Sequence, residues 1–325
     1  MAELPTSFME ARRRVEPTDL DKDNAQEAHR LVRTCLEADP TLISYGVETA
    51  LIGSYRRQVS IRRVKDVDTL CKLPDLPRDV DSAALLSDIR GLLNNKFEEA
   101  RVTPQDRSIK VKFPDFDMHV DVVPARSGTS YLEIPDGDGG WMETNPEKFT
   151  ELTITMNQRY DGRYVPLVKL VRQARRASLA KRPGGFLFEV LAYHACNVGL
   201  SASCDAELFT GAVRSISNQL AAIATGGTVS DPTRPGCTIT VRVTDDQLAT
   251  AVEKFEKVAD RAEAALAEAD RCAAALEFRK ILGKNPDDDW IFEIPAECND
   301  DGSLRKTSVT IPGERLIPAG DSRFA

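Results

Sequence analysis

The sequence predicts an α+β protein, with a lobe built on a mixed β-sheet followed by an α-helical lobe. Three observations predict it. Short apolar runs bounded by Gly, Pro and Asp fill the first 145 residues, between stretches of helical spacing. Helical spacing then dominates to about residue 295. A chain of 325 residues with 42% apolar composition is long enough for two lobes around a shared cleft. The expected divisions are 1–145, 146–295 and a flexible tail at 296–325, with an N-terminal helix able to pack on the second lobe.

Taken in order, 23–39 reads as an amphipathic helix, because Ala25, Ala28, Leu31, Val32, Cys35 and Leu36 recur at helical spacing. A short strand at 49–52 ends in Gly53-Ser54. A second strand at 64–73 carries two aspartates and is stopped by Pro74 and Pro77. A helix at 79–97 precedes three strands at 100–103, 108–113 and 118–123, the last closed by Pro124. The Gly-, Asp- and Pro-rich stretch 127–140 reads as a loop. Helices are expected at 164–179 and 186–198, a loop at 225–235, and a long helix or helical pair at 247–282 whose Ala-rich stripe is a packing face. Periodicity is lost after Trp290.

Composition narrows the function. With 43 basic and 51 acidic residues the formal charge is −8, which argues against constitutive binding of a long nucleic acid. A small nucleotide needs only a local basic pocket. Seven widely spaced cysteines without a CxxC, and only three histidines, give no zinc pattern and read as reduced thiols. No apolar h-region and no run of 18 apolar residues occurs, so a cytoplasmic protein without membrane attachment is expected. No P-loop, strand-following GxGxxG or HExxH is present.

The chemistry concentrates in Leu51-Ile52-Gly53-Ser54-Tyr55, Lys65-Asp66-Val67-Asp68 and His119-Val120-Asp121-Val122-Val123-Pro124. Asp66 and Asp68 stand two apart on a strand, so both project from one face. Asp121 lies in an apolar frame, where a carboxylate is costly unless paired or bound to metal. Three convergent carboxylates repel one another, and hard divalent cations relieve that repulsion. Two such ions can activate a hydroxyl and stabilise departing pyrophosphate. Glycine at 53 lets the backbone approach a phosphate, and the Ser54 hydroxyl can donate to it.

These motifs resemble the polymerase-β-like nucleotidyltransferases, and most closely the bacterial CD-NTases, the relatives of cyclic GMP-AMP synthase in CBASS anti-phage operons. The resemblance runs through the second half, at Pro166-Leu167-Val168-Lys169-Leu170-Val171-Arg172, Phe186-Leu187-Phe188-Glu189-Val190-Leu191 and Asp231-Pro232-Thr233. It implies synthesis of a cyclic di- or trinucleotide from NTPs (ATP or GTP foremost) with release of pyrophosphate. Asp66, Asp68 and Asp121 would be the catalytic and metal-binding residues, holding two Mg²⁺ ions, with Mn²⁺ able to substitute. Gly53, Ser54, Tyr55, Lys169 and Arg172 would bind nucleotide. The sequence departs from the family at Arg172, where relatives carry Lys, at Ala174, where they carry Trp, and near Gly185, where they carry a phosphate-contacting Ser. The tail at 312–325 resembles those that a ubiquitin-conjugation-like partner attaches to other molecules.

Other residues carry weaker signals. His119 shares a strand face with Asp117 and Asp121 and reads as a hydrogen-bonded structural histidine. Of Arg56, Arg57, Arg62, Arg63 and Lys65, one functional member is expected. Tyr160 and Tyr164 fit a core or rim as well as a base platform, and Cys71 fits packing. The carboxylate triad is shared with tRNA or RNA nucleotidyltransferases, which remain the alternative enzyme. A nucleotide-binding regulator without catalysis is the alternative from another class.

Overall fold

The computed structural model describes residues 4–305. Helix α1 (Pro5–Val15) starts with Pro at its first turn. Helix α2 (Asp19–Glu37) opens on a capping box between Thr18 and Asp21, four residues earlier than periodicity placed it. The short α3 (Pro40–Ser44) leads into β1 (Glu48–Ile52). One helical turn, α4 (Gly53–Arg56), precedes β2 (Asp66–Leu73). Then follow α5 (Ser82–Phe97), β3 (Val102–Pro104), β4 (Ile109–Phe113) and β5 (Met118–Ser127).

The sheet order is β1-β2-β5-β4-β3. Strands β2 and β5 run parallel, and the other neighbours run antiparallel, so the sheet is mixed. Pro124 does not end β5, which continues to Ser127. The expected loop at 127–140 contains β6 (Leu132–Pro135), paired with β5 and with β7 (Trp141–Thr144). Its Gly and Asp residues serve the tight turns of this extension, and its strands were too short to show a period.

One sheet face is apolar: Val67, Cys71, Leu73, Ile109, Val111, Val120 and Val122 form a core with Ala28, Val32 and Leu36 of α2 and Leu85, Ile89 and Leu93 of α5. The alternate positions of β2 and β5 therefore face the other way, toward the helices that follow.

Those helices are α6 (Pro146–Arg159), α7 (Tyr164–Ser178), α8 (Gly185–Asn197), α9 (Asp205–Ala224), α10 (Asp245–Ala267) and α11 (Arg271–Leu282). A two-stranded ribbon, β8 (Val229–Ser230) and β9 (Thr238–Ile239), lies between α9 and α10. The stretch read as one long helix or a pair is a pair, broken at 268–270 where Asp270 caps α11. Helix α9 was not read from the sequence. Its Leu208, Phe209, Val213, Ile216 and Leu220 join a second apolar core.

Helix α1 joins that second core, although it comes first in the chain: Leu4, Phe8, Ala11 and Val15 are buried in it. Phe8 meets Phe278 and Phe292 edge-on, with centroids 5.0 and 5.1 Å apart.

Two expectations are corrected near the C-terminus. Cys272 and Cys298 are joined in a disulfide with Cα atoms 5.4 Å apart, so these two are not free thiols. Twenty-six residues of separation in sequence vanish when the chain after α11 doubles back. Residues 296–305 are also not a loose tail. Cys298 bridges Leu304, the Arg305 amide donates to the Glu297 carbonyl at 2.7 Å, and Arg279 pairs with Asp300 at 2.9 Å. The remainder of the expected tail, 306–325, lies outside the described residues. Among the described residues no helix is long and apolar enough to cross a membrane.

Candidate active site

The register of β2 and β5 brings the three aspartates together. Asp68 stands beside Asp121, and Asp66 beside His119, on the sheet face opposite the apolar core. Ile52 pairs with Asp68 from the other side, which delivers the following turn to the same place. Gly53 has φ +74°, and a Cβ there would lie 1.7 Å from Asp68 Oδ2. Only glycine fits this position, both for its backbone conformation and because the carboxylate already fills the space.

The carboxylates suffer from their proximity. Burial, reinforced by the charges of Asp66 and Asp121, pushes the Asp68 carboxyl up to about 7, against the opposing pull of Arg57 and Arg172. Asp121 Oδ1 is buried and has no hydrogen-bond partner. His119 Nε2 lies 3.6 Å from Asp121 Oδ2, too far for the hydrogen bond expected of it. A cation would satisfy the orphaned oxygen and relieve the repulsion, and hard divalent ions take such oxygen donors. The donor set therefore fits a divalent metal. Among the described residues no three His, Cys, Asp or Glu side chains are gathered closely enough to hold a metal ion by themselves, so phosphates and water would have to supply the remaining ligands.

A cleft of about 710 Å³ runs from Asp66, Asp68, Gly53 and Ser54 toward the helical side of the molecule. Its inner wall holds a buried charge cluster that was not read from the sequence. Arg57 donates from Nε and Nη2 to both oxygens of Glu189, at 2.5 and 3.0 Å. The two side chains are 5% and 1% exposed. Arg57 also lies over the Phe149 ring, 4.8 Å from its centroid. Arg172 approaches the same carboxylate at 3.6 Å, and its Nε has no partner. The sequence signal was available: Glu189 interrupts the apolar run Phe186-Leu187-Phe188, and a buried carboxylate requires a partner. Arg57 is thus the basic-stretch member drawn into the cleft. Arg62 and Arg63 pair with Asp287, and Lys65 with Asp117.

The expected nucleotide contacts divide. Gly53, Ser54 and Arg172 line the cleft. Ser54 Oγ lies 3.0 Å from Ser60 Oγ. Tyr55 does not line it: its ring packs on the α2 side, and its hydroxyl donates to the Lys22 carbonyl at 3.3 Å. Lys169 does not either, because its ammonium is buried against Glu16 and staples α1 to α7. Lys169 and Arg172 stand about one turn apart on the same side of α7, and their different partners, Glu16 and Glu189, come from the elements packed against each turn. Tyr160 and Tyr164 are core residues, the former with its hydroxyl donating to the Cys196 carbonyl at 2.9 Å. Sequence reasoning missed Phe186, which lines the cleft while 51% exposed. It also missed Arg107, Arg182, Arg234 and Arg242, which stand on loops without periodicity.

Paired carboxylates on adjacent parallel strands, closed off by a glycine turn and faced by arginines, define a nucleotidyltransferase. Comparison with known proteins specifies which kind. The model of the Second Messenger Oligonucleotide or Dinucleotide Synthetase domain matches residues 3–157. Cyclic AMP-AMP-AMP synthase of Acinetobacter sp. (strain ATCC 27244 / 9458) is 30% identical over 299 residues, covering 85% of this chain and 83% of that protein. The fold matches the solved structure of E. coli MS115-1 CdnC with ATP, with TM-score 0.65 and 18% identity over 89% of this chain and 98% of that one. It also matches Vibrio cholerae DncV in its apo form, with TM-score 0.66 and 12% identity over 83% and 91%. The chain belongs to the CD-NTase family of second-messenger synthetases, nucleotidyltransferases that make cyclic oligonucleotides from NTPs, as the CBASS resemblance implied.

Proposed function

We propose that Asp66, Asp68 and Asp121 are the catalytic carboxylates of this cyclic oligonucleotide synthase and that they hold Mg²⁺. The observation that carries the reading is the alignment of Asp68 with Asp121 across parallel strands, with the Gly53 backbone pressed against Asp68. Asp66 and Asp68 would hold the metal that binds the donor triphosphate, whose outer phosphates rest on the Gly53-Ser54 turn and Arg172. Asp121 orients the ribose hydroxyl of the acceptor. The hydroxyl oxygen bonds to the α-phosphorus, the bond to the β-phosphate oxygen breaks, and pyrophosphate leaves as the hydroxyl proton is lost. When bound, Mg²⁺ neutralises charge on the reacting phosphates and makes the hydroxyl easier to deprotonate. Repetition on the new end, then closure, gives the ring.

The lobes 1–145 and 146–295 supply the two walls, the second of them completed by α1. Phe186 offers its exposed ring as a platform for a base. ATP is the first substrate to test, because the Acinetobacter relative is named for a cyclic adenylate and the CdnC structure is with ATP. A ubiquitin-conjugation-like partner would act on the tail segment 312–325.

The test is incubation with labelled ATP, GTP, CTP and UTP plus Mg²⁺ or Mn²⁺, followed by phosphatase. A phosphatase-resistant product of cyclic mass, lost in Asp66→Ala/Asp68→Ala, is expected. Label transferred instead to added tRNA would replace the reading with that of an RNA nucleotidyltransferase.

A further inference from the structure

Six arginines line the cleft of a chain whose formal charge is −8. Arg57 and Arg172 share Glu189, and Arg234 is held by Asp231 at 2.9 Å with Glu143 at 3.8 Å. Arg182 lies at the corner between α7 and α8, where its charge is felt by Arg175. Arg107 and Arg242 are different. Arg107 comes from the loop joining β3 to β4, and Arg242 from the segment between β9 and α10, so they reach the cleft from its two walls.

Neither is neutralised by a buried carboxylate. Arg107 makes no ion pair among the described residues, and its Nε donates to the Asp136 carbonyl at 3.3 Å. Arg242 meets Asp106 at 3.4 Å, where both side chains are substantially exposed. The two guanidinium groups are close enough that Arg242, after burial, holds Arg107 below the usual arginine range. The aspartates 106, 136 and 138 offset this only in part. Two like charges facing each other across a cleft cost free energy that an anion between them would return.

The position says which anion. Lys110 of β4 pairs with Asp121, and Arg107 lies in the turn that leads into β4. In the sheet order β1-β2-β5-β4 this puts Arg107 on the far side of Asp121 from Asp66 and Asp68 on β2 and from the Gly53-Ser54 turn after β1, where the donor phosphates are proposed to rest.

We propose that Arg107 and Arg242 form a two-sided clamp for the 5′-triphosphate of the acceptor, whether a free NTP or the linear intermediate, while its ribose hydroxyl lies at Asp121. This rests on the proposed roles of the carboxylates. The clamp fixes the end of the acceptor that does not react, and it would align successive acceptors without reading their bases. Arginine suits the task because its planar fork grips phosphate bidentately.

Two measurements test it. In the first, inorganic tripolyphosphate is titrated into the full-length protein in EDTA, which removes divalent metal from the donor site. Arg107→Gln/Arg242→Gln is expected to weaken binding at least 10-fold, with an unchanged melting temperature and with Arg172→Gln having the smaller effect. Equal binding by the double variant and the wild type would overturn the clamp, whatever reaction the enzyme performs. In the second, a nucleoside and its 5′-triphosphate are compared as acceptors. The double variant is expected to raise KM for the triphosphate acceptor about 10-fold and leave that for the nucleoside acceptor and for the donor unchanged. A rise confined to the donor KM would assign the arginines to the donor and refute the proposal. Should the wild type form no phosphodiester with any acceptor, the carboxylate reading fails, and the tripolyphosphate result still decides the clamp.

Discussion

Glu189→Ala removes one carboxylate and strands two guanidinium groups. Arg57 loses both of its short hydrogen bonds, at 2.5 and 3.0 Å, and Arg172 loses the same counter-charge at 3.6 Å. With side chains 5% and 1% exposed, water cannot take the place of the lost partner without opening the structure. Breaking such a buried pair from one side costs about 3–5 kcal/mol. For a lobe of 150–250 residues each kcal/mol lowers the melting temperature by about 2–4 °C, so a fall of roughly 6–20 °C is expected. Scanning calorimetry or fluorescence melting measures it directly. The companion variant Arg57→Met/Glu189→Leu removes both charges and fills the volume, and it should recover most of the lost stability. It should not recover activity, because Arg57 follows the Gly53 turn immediately and Glu189 stands on α8, so the pair fixes the turn against the helical wall. A Glu189→Ala protein that melts with the wild type would refute the reasoning. A fully active Arg57→Met/Glu189→Leu protein would refute its functional half.

Gly53→Ala should lower product formation by at least about 10²-fold, read in the labelled NTP assay, because the new methyl group lands on the Asp68 carboxylate. The Asp68 carboxyl, raised from its ordinary value to about 7, is protonated more readily in the folded than in the unfolded chain. The metal-free protein should therefore lose stability as pH rises from about 4 to 7, and Asp68→Asn should remove that slope in melts run in EDTA. Mg²⁺ should raise the melting temperature more at pH 8 than at pH 6, because protons compete for the same oxygens. Thiol titration of the denatured, unreduced protein should find five cysteines free of the seven in the chain. Opening the 26-residue disulfide loop with reductant should cost about 3.5 kcal/mol in a chemical denaturation series.

The meeting of Asp66, Asp68 and Asp121 was legible because it depends on local rules. Period two puts Asp66 and Asp68 on one face, and the apolar frame of Asp121 marks a central strand. The arginine side of the cleft was not legible, because its residues stand on loops whose path depends on the packing of both walls. Lys169 shows the same limit: it lies on an amphipathic helix, and only the tertiary position of Glu16 decides where its ammonium goes. The N-terminal helix expected to pack on the second lobe was not located at 5–15, because Phe8, Ala11 and Val15 are spread among charged residues in a segment that reads as polar. The β6–β7 extension escaped because turn residues outnumber strand residues over that stretch.

The burial of Phe8 against Phe278 and Phe292 has a consequence for how the protein is made. Phe8 is synthesised well before its aromatic partners, which follow 270 and 284 residues later. At ~5–20 residues per second it waits roughly 15–55 s for them. Over that interval the sheet and helices α2 and α5 can close their own core, which needs nothing beyond β5. The second core cannot close until nearly the whole chain has emerged. A nascent chain that ends before residue 270 would carry the sheet core without Phe278 and Phe292, the aromatic partners that seat α1.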